Sequence, residues 1–275
     1  MDSDMDGDWG VQKGSPELEE ILDNNPNAEK KEINPNETIS LGLSSIKATD
    51  IGTKRLDLAG TTAGLGEATA AAADATGANG VAASTLSITG KNGQAETVTV
   101  NINMTASDIA DAVNAKSSDT GVTADARTQV QLSTLTAAGA LSFELNGSVI
   151  SANADTTTDF ASIAAAVNEK SGSTGVSAAL DSATGNLVLT DETGKDIKLA
   201  NFVSAGDINV NGMEYDGTVG ATTTTLTGAT ATTDSAVIAG TVRLNSNESY
   251  SVTSNSVTTA GVTTASAFTG EKVAS

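Results

Sequence analysis

A 14-residue stretch occurs twice in this chain, 54 residues apart, and the duplication limits the folds open to it. Ile109-Ala-Asp-Ala-Val-Asn-Ala-Lys-Ser-Ser-Asp-Thr-Gly-Val122 returns as Ile163-Ala-Ala-Ala-Val-Asn-Glu-Lys-Ser-Gly-Ser-Thr-Gly-Val176, with ten of the 14 positions identical. Self-similarity at a fixed period marks a structural unit used more than once. Neither copy holds a His, a Cys or a clustered acid pair, so what repeats is architecture rather than a reaction centre.

The text around each copy predicts the same order of elements. In the first, Leu86-Ser-Ile-Thr and the alternating run from Glu96 to Asn103 flank Lys91-Asn92-Gly93, a strong hairpin signal. Thr105 or Ser107 can cap a helix from Asp108 to about Lys116, with Asp108 at its positive end and Ile109, Ala112 and Val113 on one face. Gly121 ends it and Val122 restarts a strand. In the second, Leu141 to Leu145 and Ser148 to Ser151 flank Asn146-Gly147, and Thr158 or Asp159 caps a helix from about Phe160 to Lys170 with the face Ile163, Ala166 and Val167. Strands at Val176 to Leu180 and Leu187 to Thr190 follow, across a turn at Ala183 to Asn186. The repeat residues have structural roles in this reading. Val113 and Val122 are core contacts, Asn114 is a polar group at a helix end and Gly121 is a left-handed turn; Val167, Val176, Asn168 and Gly175 repeat those roles.

Outside the repeats the chain changes character several times. Residues 1–36 are rich in acids and Asn and contain all three prolines (Pro16, Pro26 and Pro35), which reads as a leader or linker with a short helix over Pro16 to Asp23. Residues 37–85 open on a strand-like alternation at Thr38 to Ile46 and pass into an Ala/Gly/Thr-rich segment, Gly60 to Ala83, that suits a short helix or a surface loop. Residues 86–140 and 141–205 are the two repeat modules. In residues 206–275 a third hairpin pattern begins at Asp207, the run Thr218 to Thr233 is nearly all Thr, Ala and Gly, and strand-like text returns at Ala236 to Leu244 and Tyr250 to Val252.

Aromatics make up only 3% of the chain while Thr occurs 40 times, which points to thin cores and to strands. The expected fold class is therefore α+β and strand-dominated: two or three small elongated modules, each a sheet with one short packed helix.

The net charge of −20 argues against partners rich in phosphate, both nucleic acid and anionic membrane surfaces. No apolar run reaches the length of a membrane span, and the acidic start is unlike a secretory signal peptide. Export without such a signal, or a longer precursor, is the expectation; the absence of Cys suits an extracellular protein without disulfides. The absence of His and Cys excludes Ser–His–Asp and Cys–His catalysis and His-ligated zinc. The remaining acids are spread along turns and helix starts, as on a solvated surface, so the chain is expected not to be an enzyme. Gly64-Leu-Gly66 follows no strand-to-helix phosphate-binding pattern. Asp2, Asp4 and Asp6 with Gly7 have the spacing of half a calcium loop, but Lys13 stands where the loop needs Glu. Asp23, Asn25 and Asn27 repeat that spacing without the Gly, so neither a metal nor a cofactor is expected. The sequons at Asn36, Asn103, Asn146 and Asn247 are accounted for by chance.

The repeats resemble the flagellin IN motif, a strand–strand–helix–strand unit with Val/Ile-Asn followed by Thr-Gly-Val-Thr/Ser-Ala. Here it reads Val113-Asn114 with Thr120-Gly-Val-Thr-Ala124, and Val167-Asn168 with Thr174-Gly-Val-Ser-Ala178. Asn34-Pro-Asn-Glu-Thr-Ile-Ser-Leu-Gly-Leu is similar to the strand by which flagellins leave their helical rod, and Ala239-Gly-Thr-Val-Arg-Leu-Asn-Ser-Asn to the strand that leads back. Neither terminus has the heptad pattern of the flagellin core. The resemblance therefore implies the variable outer region of a flagellin, extracellular, with the helical filament-core segments absent. It also implies other flagellin subunits as partners through that missing core, and O-linked glycans on Thr and Ser loops. Motility and surface antigenicity are the functions expected of such a region. The alternative is a hook-associated or cap protein, or an extracellular adhesin, although an adhesin would need exposed aromatics that this chain has few to supply.

Overall fold

The computed structural model describes residues 53–60, 63–71, 77–228, 232–256 and 270–273. All of them belong to one compact unit, Lys47–Ser275. The acidic start with its Pro16–Asp23 helix, the alternation at Thr38 to Ile46, the half calcium loops and the Asn36 sequon lie outside the described residues.

Each repeat folds in the order its periodicities predict. Repeat 1 runs through β3 (Ser84–Thr89), β4 (Ala95–Val100), α1 (Ala106–Asn114), α2 (Ser117–Thr120) and β5 (Thr123–Ser133). Repeat 2 runs through β6 (Gly139–Leu145), β7 (Ser148–Ala154), α3 (Ala161–Glu169), α4 (Ser171–Thr174), β8 (Ser177–Leu180) and β9 (Leu187–Asp191). The strands before them are β1 (Lys54–Leu58) and β2 (Ala68–Ala71). After them come β10 (Ile197–Val203), β11 (Asp207–Met213), β12 (Val219–Thr227), β13 (Ser235–Ile238), β14 (Thr241–Ser246), β15 (Ser251–Ser256) and β16 (Gly270–Val273).

Three antiparallel sheets result. One has the order β1-β14-β5-β11-β12, with β9 also on β5 and β8 on β9; the second is β2-β13-β10-β6-β7; the third is β16-β15-β3-β4. The alternation Leu86, Ile88 against Val98, Val100 turns one face of the β3–β4 hairpin inward, where it meets Ile109 and Val113 of α1 and Val242 and Leu244 of β14. A second core gathers Phe143 and Ile150 of the β6–β7 hairpin, Ile163 and Val167 of α3, and Leu187 and Leu189 of β9. Each such side chain, once fully buried, contributes about 1.5–3 kcal/mol.

Strand β5 belongs to both cores. Its first half, Thr123 to Arg127, pairs with β14, and Ala124 lies in the first core. Its second half pairs with β9 and β11, and Val130 and Leu132 lie in the second. Neither repeat completes its core alone: the first draws on β1, β14 and β15, the second on β2, β10, β11 and β13.

Several boundaries differ from those read off the sequence. Helix α1 starts at Ala106 because the Thr105 hydroxyl accepts the Asp108 N–H at 3.2 Å, which fixes the cap three residues before Asp108. In repeat 2 the cap position is Phe160, which has no capping side chain; Asp159, one residue earlier, accepts from Ala161 N–H at 3.2 Å. Each repeat also has a second helical turn, α2 or α4, too short to leave a periodic pattern. The described part of Gly60 to Ala83 holds no helix: it turns at residues 63–66 and forms β2, which pairs antiparallel with β13. The Thr-rich run is the second strand of the third hairpin, β12, paired with β11 along most of its length. The apolar text from Ala236 to Leu244 is two strands, β13 and β14, that enter different sheets.

Candidate functional site

The signature residues of the repeat form a lock between helix and strand. At the end of α1, the Asn114 side chain accepts the Ala124 N–H at 2.8 Å and donates to the Ala124 carbonyl at 2.9 Å, so one amide takes the place of a neighbouring strand. At the end of α3, Asn168 does the same to Ala178, again at 2.8 and 2.9 Å. The chain returns from helix to strand through Gly121 and Gly175, whose φ of 72° and 74° lie in the left-handed region that costs Gly least. Thr120 and Thr174 complete the turn. Each hydroxyl donates to the Lys carbonyl four residues back and accepts the N–H of Val122 or Val176. Val113, Val122, Val167 and Val176 are fully buried beneath these locks.

A further pair of latches ties each hairpin turn to its helices. Asn92 donates to the Asp119 carbonyl and Asn146 to the Thr174 carbonyl, each at 2.8 Å. Asn92 and Asn146 stand 54 residues apart, the repeat period, which is the signal that could have found them.

The repeats meet at a joint. The loop after β9, residues 192–196, reaches repeat 1, where Gly194 accepts the Ser107 N–H at 3.0 Å. Its φ is 74°, and a Cβ there would lie 2.3 Å from the Ala126 side chain, so the loop sits flush on β5 only with Gly. Beside it Asn79, 1% exposed, donates to both oxygens of Asp196 at 3.1 Å while its own carbonyl oxygen accepts the Val81 N–H at 3.0 Å. Burial pushes the Asp196 carboxyl up to about 6, against the pull of the Asn79 amide and the charge of Lys198. An open cleft of about 720 Å³ lies here, walled by Asp108, Asp191, Asp196, Lys195 and Lys198 with Ser and Thr hydroxyls.

A third constellation pins the β11–β12 turn to the sheet. The Tyr215 ring lies 4.2 Å from the Arg243 guanidinium carbon and 4.7 Å from that of Arg127, and the Arg127 guanidinium donates to the Tyr215 carbonyl. Arg243 in turn grips Asp57 in a two-pronged ion pair of 2.6 and 2.7 Å across the β1–β14 pair. Among the described residues no three acids come together as metal ligands. These hydrogen bonds and ion pairs hold backbone and cores in register.

The model of the flagellin hook IN motif matches the chain twice, over residues 85–138 and 140–193. The solved structure of the flagellar cap protein FliD from Helicobacter pylori is similar at 14% identity and a TM-score of 0.20, over 56% of this chain and 57% of that one. The chain thus spans little more than half the length of that protein. No curated protein sequence matches it. The chain therefore carries two flagellin-type IN repeats.

Proposed function

We propose that this region of a flagellar protein forms the outward-facing surface of the filament. It acts as a rigid, displayed scaffold without a catalytic step. The observation that carries this reading is the duplicated lock: both repeats spend their signature residues on joining helix to strand. The charge supports it too, because a net −20 keeps densely displayed copies apart. Exposed hydroxyls on β12, such as Thr223 and Thr225, offer the kind of surface on which O-linked glycans would sit. Contact with other subunits would run through helical segments outside this chain.

Antibodies raised against residues 85–193 and imaged by immunogold on intact flagella of the source cells test the proposal. Labelling along the whole filament is the expected result. Labelling confined to the tip, or none on intact filaments, would overturn it, the former in favour of a cap protein.

A further inference from the structure

Asn-Gly occurs four times in the chain, at 79–80, 92–93, 146–147 and 211–212. Gly has no side chain to keep its backbone nitrogen from the carboxamide that precedes it, so each pair can in principle react with itself. The fold treats the four unequally. Asn79 is 1% exposed and bonded at both ends of its amide, the nitrogen to Asp196 and the oxygen to the Val81 N–H. Asn211 is buried within β11 and donates to the Thr222 carbonyl and the Thr223 hydroxyl. Its neighbour Gly212 is packed so closely that a Cβ would overlap the Gly66 carbonyl. Asn146 is half-buried and also held at both ends: it donates to the Thr174 carbonyl at 2.8 Å and accepts the Lys198 N–H at 2.9 Å. Asn92 differs from all three. It is exposed, and the one side-chain bond it makes among the described residues is its donation to the Asp119 carbonyl. Gly93 is exposed as well, with open space where a Cβ would stand, and its N–H is held by the Gly90 carbonyl at 3.0 Å.

We propose that Asn92 is a self-modification site, where spontaneous deamidation unfastens the latch between the β3–β4 turn and α2. The Gly93 nitrogen, its proton taken by solvent base, bonds to the Asn92 Cγ. The Cγ–Nδ2 bond breaks, and Nδ2 leaves as ammonia with a proton from water, which closes a succinimide ring. Water then adds to one of the two ring carbonyls. Cleavage of the bond from nitrogen to Cγ gives an aspartate, and cleavage of the bond from nitrogen to the main-chain carbonyl carbon gives an isoaspartate. The net reaction exchanges water for ammonia and needs no redox partner. Either product sets a carboxylate, with no hydrogen to donate, against the Asp119 carbonyl that the amide had bonded at 2.8 Å. The isoaspartate also adds a methylene to the backbone of the turn, beside its other bond to the helix, the Lys91 N–H on the Thr120 carbonyl at 3.0 Å. Repeat 1 therefore loosens at this turn with age and gains a negative charge. Attack at Asn146 requires one more hydrogen bond to break and a half-buried side chain to emerge, so repeat 2 keeps its latch.

The test ages the full chain at pH 8.5, folded or in concentrated urea, and follows each Asn-Gly peptide by mass spectrometry for the mass gain of deamidation. In the folded chain Asn92 is expected to convert roughly tenfold faster than Asn146, with Asn79 and Asn211 slower still, while in urea the four rates converge. Equal rates at Asn92 and Asn146 in the folded chain, or the same preference for Asn92 in urea, would overturn the assignment of the site. Hydrogen exchange then reads the latch. The Lys91 amide is expected to exchange faster in the aged, deamidated fraction and in Asn92→Asp than in the fresh parent. Unchanged protection of Lys91 in either would overturn the unfastening.

Discussion

At the scale of single residues, the repeat signature is a set of hydrogen bonds with known partners, and each can be removed separately. Asn114→Ala deletes both bonds to Ala124, and Asn168→Ala both bonds to Ala178. Each substitution is expected to lower stability by about 1–3 kcal/mol, measured as a shift in urea midpoint at constant slope. Asn114→Asp keeps the acceptor but sets a negative charge against the Ala124 carbonyl, and should be at least as damaging as Ala. Gly121→Ala and Gly175→Ala test the backbone instead. At Gly175 the nearest atom to an added Cβ is 3.5 Å away, so the cost is purely conformational, about 1 kcal/mol. At Gly121 the Lys91 side chain lies 3.2 Å away, but its flexible stem can move, so a similar cost is expected.

At the scale of elements, the local pieces were legible in the sequence and their partners were not. The β3–β4 and β6–β7 hairpins announce themselves through Asn-Gly turns between alternating runs, and α1 and α3 through Ile and Val at helical spacing, because both signals act within a few residues. The pairing of Lys54 with Ser246, or of Thr85 with Asn255, leaves no such mark, since the residues that meet lie far apart in the chain and alternation alone does not select a partner strand. For the same reason the Asn79–Asp196 contact, 117 residues apart, could not be read from spacing. Strand β2 was hidden because Ala and Thr are as compatible with a loop or helix as with an edge strand. The core faces are the most secure part of the reading, and they make the strongest prediction. Ile109→Ala and Ile163→Ala, at fully buried sites in the two separate cores, should each cost about 2–5 kcal/mol by denaturant unfolding.

At the scale of the molecule, charge and proton binding set the working range. Asp159, Asp181 and Asp216 lie below the ordinary Asp value, chiefly because each accepts a backbone N–H, from Asp155, Ala183 and Thr218 respectively. A depressed acid stabilises the fold fully above its unfolded value, and that contribution is lost as pH falls through the folded value. Asp196 and Glu67 are raised by burial, so they weigh against the fold when ionised and cease to do so as pH falls. Stability in thermal melts is therefore expected to rise from about pH 7.5 to about pH 5 and to decline below about pH 3.5. Reduced self-repulsion among 34 acids acts in the same direction toward the acid end of that rise, and added salt should raise the melting temperature at neutral pH.

The sharing of late strands between the two cores has a consequence for how the chain comes to life. Ala236 and Ile238 belong to the core of repeat 2, and Val242, Leu244 and Val252 to that of repeat 1. A polypeptide threaded through a narrow conduit with its amino end leading would therefore hold both repeats unfinished until those residues emerged. Premature knots of structure would not block its passage. A version ending at residue 233 should show no cooperative melting transition, while the uncut chain should fold both cores at once, as a single late event.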